Sequence, residues 1–244
     1  MTGNIVFFGH HKCGSRFFRF GLMAPLAKAN GYEVISYKIV KPKFHFRLAH
    51  DLDLMNIDFE SLKGRRALLV NLANAGRPVV DRILGLSDFP FKGIRVIRDP
   101  RQVFVSDYFH HRGDHGYEYA DFVWEQLKDD LPFLRVLPEE AGLLHELDHI
   151  SRDILENQLS SWEPQSNVLE IRLEDFDQNA DQIMSKIMRF LGLTEPIQIN
   201  GDAKGANPEA RHWQEVFTPR IKDIFKARYG ELLIRLGYET GFDW

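Results

Sequence analysis

Cysteine is nearly absent. The 244-residue chain has one, Cys13, so no internal disulfide is available to it and a disulfide-stapled secreted scaffold is excluded. No stretch of about eighteen apolar residues occurs, which removes a transmembrane helix. The opening residues, Met1-Thr-Gly-Asn-Ile-Val6, have neither a basic n-region nor a cleavage site, and no secretory signal is expected. A cytoplasmic, reducing setting is the expectation. Excess positive charge is missing as well. Thirty-one Lys and Arg face 35 Asp and Glu, for a net charge of -4, which argues against a general nucleic-acid binder. There is no internal repeat, low-complexity tract or clear linker. A hydrophobic content of 44% supplies a substantial core, and a single domain over 1–244 is expected.

What is present is alternation. Residues 4–8, 32–40, 66–71, 94–97 and 167–172 carry the β-branched and aromatic enrichment of strands. Helices are predicted over 15–29, 78–84 and from Pro100 onward. Residues 117–161 read as largely helical, broken at Pro132, Pro138 and Gly142. An amphipathic helix over 182–191 is closed by Gly192, and 211–244 holds one or two more. Repeated strand–helix alternation predicts an α/β fold with a mostly parallel central sheet flanked by helices, and a helical insert. Such sheets bind ligands at the carboxyl ends of their strands.

The first of those ends carries a glycine-marked, basic loop. Strand Asn4-Ile-Val-Phe-Phe8 runs into Gly9-His-His-Lys12-Cys-Gly14-Ser-Arg16 and then Phe17-Phe18-Arg19-Phe20. Backbone N–H groups at a helix start converge on an anion, and Lys12 and Arg16 add charge. Gly9 and Gly14 have the G-x-x-x-x-G spacing of a phosphate loop. The lysine, however, sits two residues before the second glycine instead of directly after it. An ordinary tight turn, with Gly14 serving geometry alone, is the competing account. The phenylalanines are expected in the core.

A second group follows the 94–97 strand: Arg98-Asp99-Pro100-Arg101, with Ser106 about two turns along the helix that proline opens. Arginine offers a fork of donors suited to phosphate oxygens, and serine adds another. The alternative is that Arg98 pairs with a local carboxylate such as Asp99. Taken together, two anion grips at two strand ends call for a ligand with two separated anionic groups.

The pair of motifs resembles the sulfotransferases that use 3′-phosphoadenosine 5′-phosphosulfate (PAPS). Their first loop has the form K-x-G-[ST]-[TR], here Lys12-Cys13-Gly14-Ser15-Arg16, with the final arginine typical of glycosaminoglycan-type members. Their second motif, R-[ND]-P-x-x-x-x-x-S, is Arg98-Asp99-Pro100 through Ser106. Leu173-Glu-Asp-Phe176 resembles Y-E-D-L with leucine for tyrosine. Phe190-Leu-Gly-Leu193, Trp213-Gln-Glu-Val-Phe217 and Leu236-Gly-Tyr-Glu239 are similar to later segments in the same order. The resemblance implies a P-loop-NTPase-like three-layer fold. It also implies sulfuryl transfer from PAPS to a hydroxyl or amine of a small-molecule or saccharide acceptor, with release of 3′-phosphoadenosine 5′-phosphate (PAP).

Carried over residue by residue, the resemblance assigns Lys12, Cys13, Gly14, Ser15 and Arg16 to the 5′-phosphosulfate. Lys12 would neutralise charge on the bridging oxygen. Arg98 and Ser106 would hold the 3′-phosphate, and Lys204 or Arg211 would stand in for the family's R-K-G loop, which is altered here. No metal is needed in that scheme. The base departs from the pattern. Val70-Asn71-Leu72-Ala73-Asn74 lacks the histidine of cytosolic members, and Glu33 lies near the glutamate position of the glycosaminoglycan-type enzymes. Glu33 is the first candidate and His11 the second. His110, His111 and His115 with Asp114 lack a zinc spacing such as H-E-x-x-H; they are expected to cap the helix and line the acceptor side. The segments 41–64 and 113–161 would shape the acceptor pocket. A P-loop kinase or NTPase is the alternative enzyme, disfavoured by the displaced lysine. A non-catalytic PAP-binding protein is the alternative without turnover.

Overall fold

The computed structural model describes residues 3–14, 17–36, 62, 64–71, 83, 85, 89–113, 125–159, 163–197 and 211–244. These form two compact units. The first runs up to Arg98 and includes 163–197; the second takes 99–113, 125–159 and 211–244.

The first unit holds the sheet. Its strands are β1 (Asn4–Phe8), β2 (Glu33–Ser36), β3 (Ala67–Asn71), β4 (Phe91–Ile97) and β5 (Val168–Arg172). They pair in the order β2-β3-β1-β4-β5, and every pairing is parallel. All five residues of β1 are buried, as a central parallel strand covered on both faces requires. Chain order reverses direction at β1: the path leads out to β2 on one side, and β4 continues on the other. The crevice between the carboxyl ends of β1 and β4 is therefore the topological switch point, where such sheets bind ligands.

β4 starts three residues earlier than predicted, because Phe91 already pairs beside Asn4. β2 is described as far as Ser36. The predicted helix over 78–84 and the segment 41–64 lie, apart from single positions, outside the described residues. After β1 the chain winds a π-helical segment, Phe17–Met23, which tightens into α1 (Ala24–Ala29). Pro25 accounts for the switch. It has no N–H to return to the preceding turn, and its ring needs the wider spacing there. Phe17 and Phe18 pack on Phe176, with ring centroids 5.2 and 5.1 Å away, so these two phenylalanines are core as expected.

The second unit is helical: α2 (Pro100–Arg112), α3 (Glu125–Val136), α4 (Glu139–His149), α5 (Ser151–Asp153) running into a π-helical segment (Ile154–Leu159), and, later in the chain, α8 (Trp213–Val216) and α9 (Pro219–Arg235). Between them in sequence, α6 (Leu173–Gln178) and α7 (Ala180–Leu191) belong to the first unit. Two predicted breaks are corrected. Pro132 lies inside α3, where buried Leu131 and Leu134 hold the helix to its neighbours. Gly142 lies inside α4, where a Cβ would come within 2.7 Å of the Tyr108 hydroxyl; its missing side chain makes room for that ring. Pro138 does mark a break, standing between α3 and α4 as the N-cap residue of α4. Among the described residues no helix is long and apolar enough to cross a membrane.

Candidate active site

The loop after β1 has an unusual backbone. φ is positive at Lys12 (57°) and at Gly14 (69°) but not at Cys13 between them. Alternation of left- and right-handed residues turns successive N–H groups toward a common concavity, the arrangement that cradles anions. A left-handed lysine costs about 1–2 kcal/mol. At Gly14 an added Cβ would lie 3.0 Å from Leu173 Cδ1, so the first turn after β5 presses on the loop. The Gly14 carbonyl then accepts from Phe18 N–H at 3.0 Å and starts the helical segment.

Cys13 is fully buried, which makes its thiol a space-filler. Its N–H turns inward to the His10 carbonyl at 3.3 Å, so this member of the expected cradle closes the turn. Ser15 and Arg16 lie outside the described residues.

Arg98 follows β4, the strand beside β1. Its Nη1 donates to the carbonyl oxygen of Lys12 at 3.1 Å. The structure thus places Arg98 beside the loop at the carboxyl edge of the sheet. Partial burial pushes the Asp177 carboxyl up from its ordinary value, and the Arg98 charge pulls it back; a guanidinium and a carboxyl therefore share this edge. Asp99 does not pair with Arg98. It accepts from Arg101 N at 2.9 Å as the cap of α2, and from the Arg101 guanidinium at 2.8 Å. Arg101 also donates to Glu239 and sits 4.0 Å from the Trp213 ring and 4.6 Å from that of Trp244. The second motif is thereby joined to both C-terminal segments within the helical unit.

Ser106 lies half-buried on α2 of the second unit. Arg211, in the same unit, is exposed; it pairs with Glu139 at 2.7 Å and lies 5.1 Å from the Phe109 ring. Glu33 is not brought to the loop. It opens β2 level with Ala67, at the amino edge of the sheet, whereas Lys12 follows the carboxyl end of β1. Glu33 is exposed and faces Arg65 at 3.4 Å, a surface pair of small energy. His11, next to Lys12, is half-buried.

One group escaped the sequence. Arg95 on β4 is 1% exposed. Its Nε donates to His10 Nε2 at 3.0 Å, and Nη1 donates to Glu170, its register partner on β5. An arginine is always charged and always a donor at Nε, so His10 Nε2 accepts and the ring is neutral with its proton on Nδ1. His10 thus braces the loop from beneath. The available signal was an arginine inside the apolar run Ile94-Arg-Val-Ile97. A second buried set, in the helical unit, is His111 with Glu146 (2.9 Å) and Ser151 with the same carboxylate oxygen (2.9 Å).

Comparison with known proteins agrees with this picture. Residues 86–204 match the family model of the sulfotransferase domain, a span that contains Arg98, Ser106 and Phe190–Leu193. The chain is similar in structure to mouse sulfotransferase SULT7A1 complexed with PAP, at a TM-score of 0.53 and 14% identity, covering 97% of this chain and 85% of that one. It is similar also to the sulfotransferase domain from the curacin biosynthetic pathway, at a TM-score of 0.52 and 16% identity, covering 98% and 99%. No curated protein sequence matches it. Residues 86–204 thus match a sulfotransferase domain, and the fold is the one that these sulfotransferases share; the resemblance drawn from the motifs is met at the level of fold.

Proposed function

We propose that the chain transfers a sulfuryl group from PAPS to a hydroxyl or amine acceptor and releases PAP. The observation that carries this is the junction of Arg98 and the Lys12 carbonyl at the carboxyl ends of adjacent parallel strands. Arg98 and the loop, far apart in sequence, are neighbours there, which supports one ligand reaching both. Lys12, the loop N–H groups, Ser15 and Arg16 take the phosphosulfate; Arg98, with Ser106 and Arg211 by resemblance, takes the 3′-phosphate.

In the reaction the acceptor oxygen or nitrogen attacks sulfur as the bond from sulfur to the bridging oxygen breaks. Negative charge builds on that oxygen, and the Lys12 ammonium neutralises it, so positioning and electrostatics supply most of the catalysis. Of the two named bases His11 fits better, because it neighbours Lys12, whereas Glu33 opens its strand at the opposite edge. A small-molecule or saccharide acceptor, one domain over 1–244 and a cytoplasmic location complete the proposal.

Calorimetric titration tests it. PAP should bind without magnesium, and Lys12→Ala should lose far more transfer than PAP affinity. Preference for magnesium-ATP over PAP overturns the proposal; unchanged turnover in Lys12→Ala removes the role of that residue.

A further inference from the structure

Away from the anion site, the helical unit gathers two histidines and an aspartate. His145 and His149 stand four residues apart on α4, hence on one face of the helix. Asp130 projects from α3, which a two-residue connection, 137–138, joins to α4. His145 Nε2 lies 2.7 Å from Asp130 Oδ1, and His149 Nδ1 lies 3.7 Å from the same oxygen. The three donor atoms all fall within 4.8 Å of one another. We propose that these residues bind a first-row transition-metal ion, Zn2+ by preference, which staples α3 to α4.

The donor set points to that class of ion. Two imidazoles and one carboxylate suit zinc and its neighbours, whereas calcium and magnesium take oxygen ligands. Three protein ligands leave a fourth position for water. At zinc bond lengths of about 2.0–2.1 Å and tetrahedral angles, donor atoms sit about 3.3 Å apart. The observed 2.7 and 3.7 Å from the two rings to Asp130 bracket that value and the two ring nitrogens lie within 4.8 Å of each other, so side-chain shifts of at most about 1.5 Å complete the geometry. The two rings stack at 4.2 Å with 17° between their planes, so the two imidazoles are held side by side. Access is open, since His149 keeps 55% of its side chain exposed, while His145 (18%) and Asp130 (16%) are held more firmly. The site is independent of the proposed transfer.

The experiment uses the full chain, stripped with chelator and titrated with Co2+ by visible absorption and with Zn2+ by calorimetry. One equivalent should bind, with tetrahedral cobalt bands, and Zn2+ should raise the melting temperature. His149→Ala, His145→Ala and Asp130→Asn should each weaken binding by about tenfold or more, and Zn2+ should no longer stabilise His149→Ala. Circular dichroism of each variant checks its folding; the exposure of His149 makes that variant the decisive one. His212→Ala, an exposed histidine elsewhere in the unit, should bind like the parent. No binding by the parent chain overturns the proposal, and so does undiminished binding by folded His149→Ala, which would put the metal elsewhere.

Discussion

The guanidinium of Arg98 donates to the backbone carbonyl of Lys12 at 3.1 Å. A side chain that enters the site after β4 thereby holds the one non-glycine residue described with positive φ, at 57°. Arg98 has two tasks in the proposed mechanism, holding phosphate and holding the loop. Charge-assisted hydrogen bonds contribute about 1.5–3 kcal/mol, so Arg98→Ala should weaken PAP binding by about 10–100-fold in calorimetry. Arg98→Lys keeps the charge but loses the fork and should recover only part. Full recovery would show that charge alone matters and that the contact to Lys12 does not.

Gly14 is under two constraints, its φ of 69° and the 3.0 Å that would separate an added Cβ from Leu173 Cδ1. The backbone term alone costs about 1–2 kcal/mol for a residue with Cβ. Gly14→Ala should lower stability by at least that amount in urea unfolding. Combining it with Leu173→Ala separates the terms. The contact is relieved while the dihedral cost stays, so the double variant should remain less stable than Leu173→Ala alone.

Beneath the loop, Arg95 is 1% exposed, whereas Glu170 keeps 40% of its side chain exposed. This asymmetry sets the order of two substitutions. Glu170→Ala leaves a buried guanidinium short of its carboxylate, the expensive way to break an ion pair. Arg95→Met removes the buried charge and leaves a carboxylate that reaches water. Glu170→Ala should therefore be the more destabilising, by roughly 1–2 kcal/mol after allowing for solvent around the glutamate. Thermal unfolding in parallel gives the order, and the reverse order would show that His10 and its surroundings suffice for Arg95.

Features carried by contiguous residues were legible in the chain. β1 with its glycine loop, and β4 with Arg98 and the proline-opened helix, each read out from neighbours in sequence. Their meeting followed from the parallel-sheet rule. What was not legible depends on register or helix facing. Glu33 sits about twenty residues after Lys12, yet that spacing does not tell which end of a strand a residue occupies. Arg95 meets Glu170 because β4 and β5 pair in one register and no other. His145 and His149 on α4 meet Asp130 of α3 across a helix boundary, a contact that sequence spacing does not disclose. Pro132 and Gly142 read as breaks because local propensity said so, and packing overrode it.

Tyr229 on α9 is 4% exposed, and its hydroxyl has no hydrogen-bond partner among the described residues. Burial, with the nearby Glu156 charge adding to it, pushes its pKa up to about 12. A buried hydroxyl left without a partner costs about 1–3 kcal/mol, so Tyr229→Phe should hold or raise stability at pH 7, by up to about 1 kcal/mol. The pH dependence has a definite sign. The folded pKa exceeds the ordinary phenol value near 10, so the folded state binds the proton more tightly than the unfolded one between the two values. The contribution is therefore present in full below pH about 10 and is lost as pH rises toward 12. Lysines and other groups titrate in the same range, which makes the difference between parent and Tyr229→Phe the quantity to measure. Over that interval the parent should lose roughly 2–3 kcal/mol relative to the variant. Parallel pH profiles for the two chains would mean that water reaches the hydroxyl and that its burial carries no such cost.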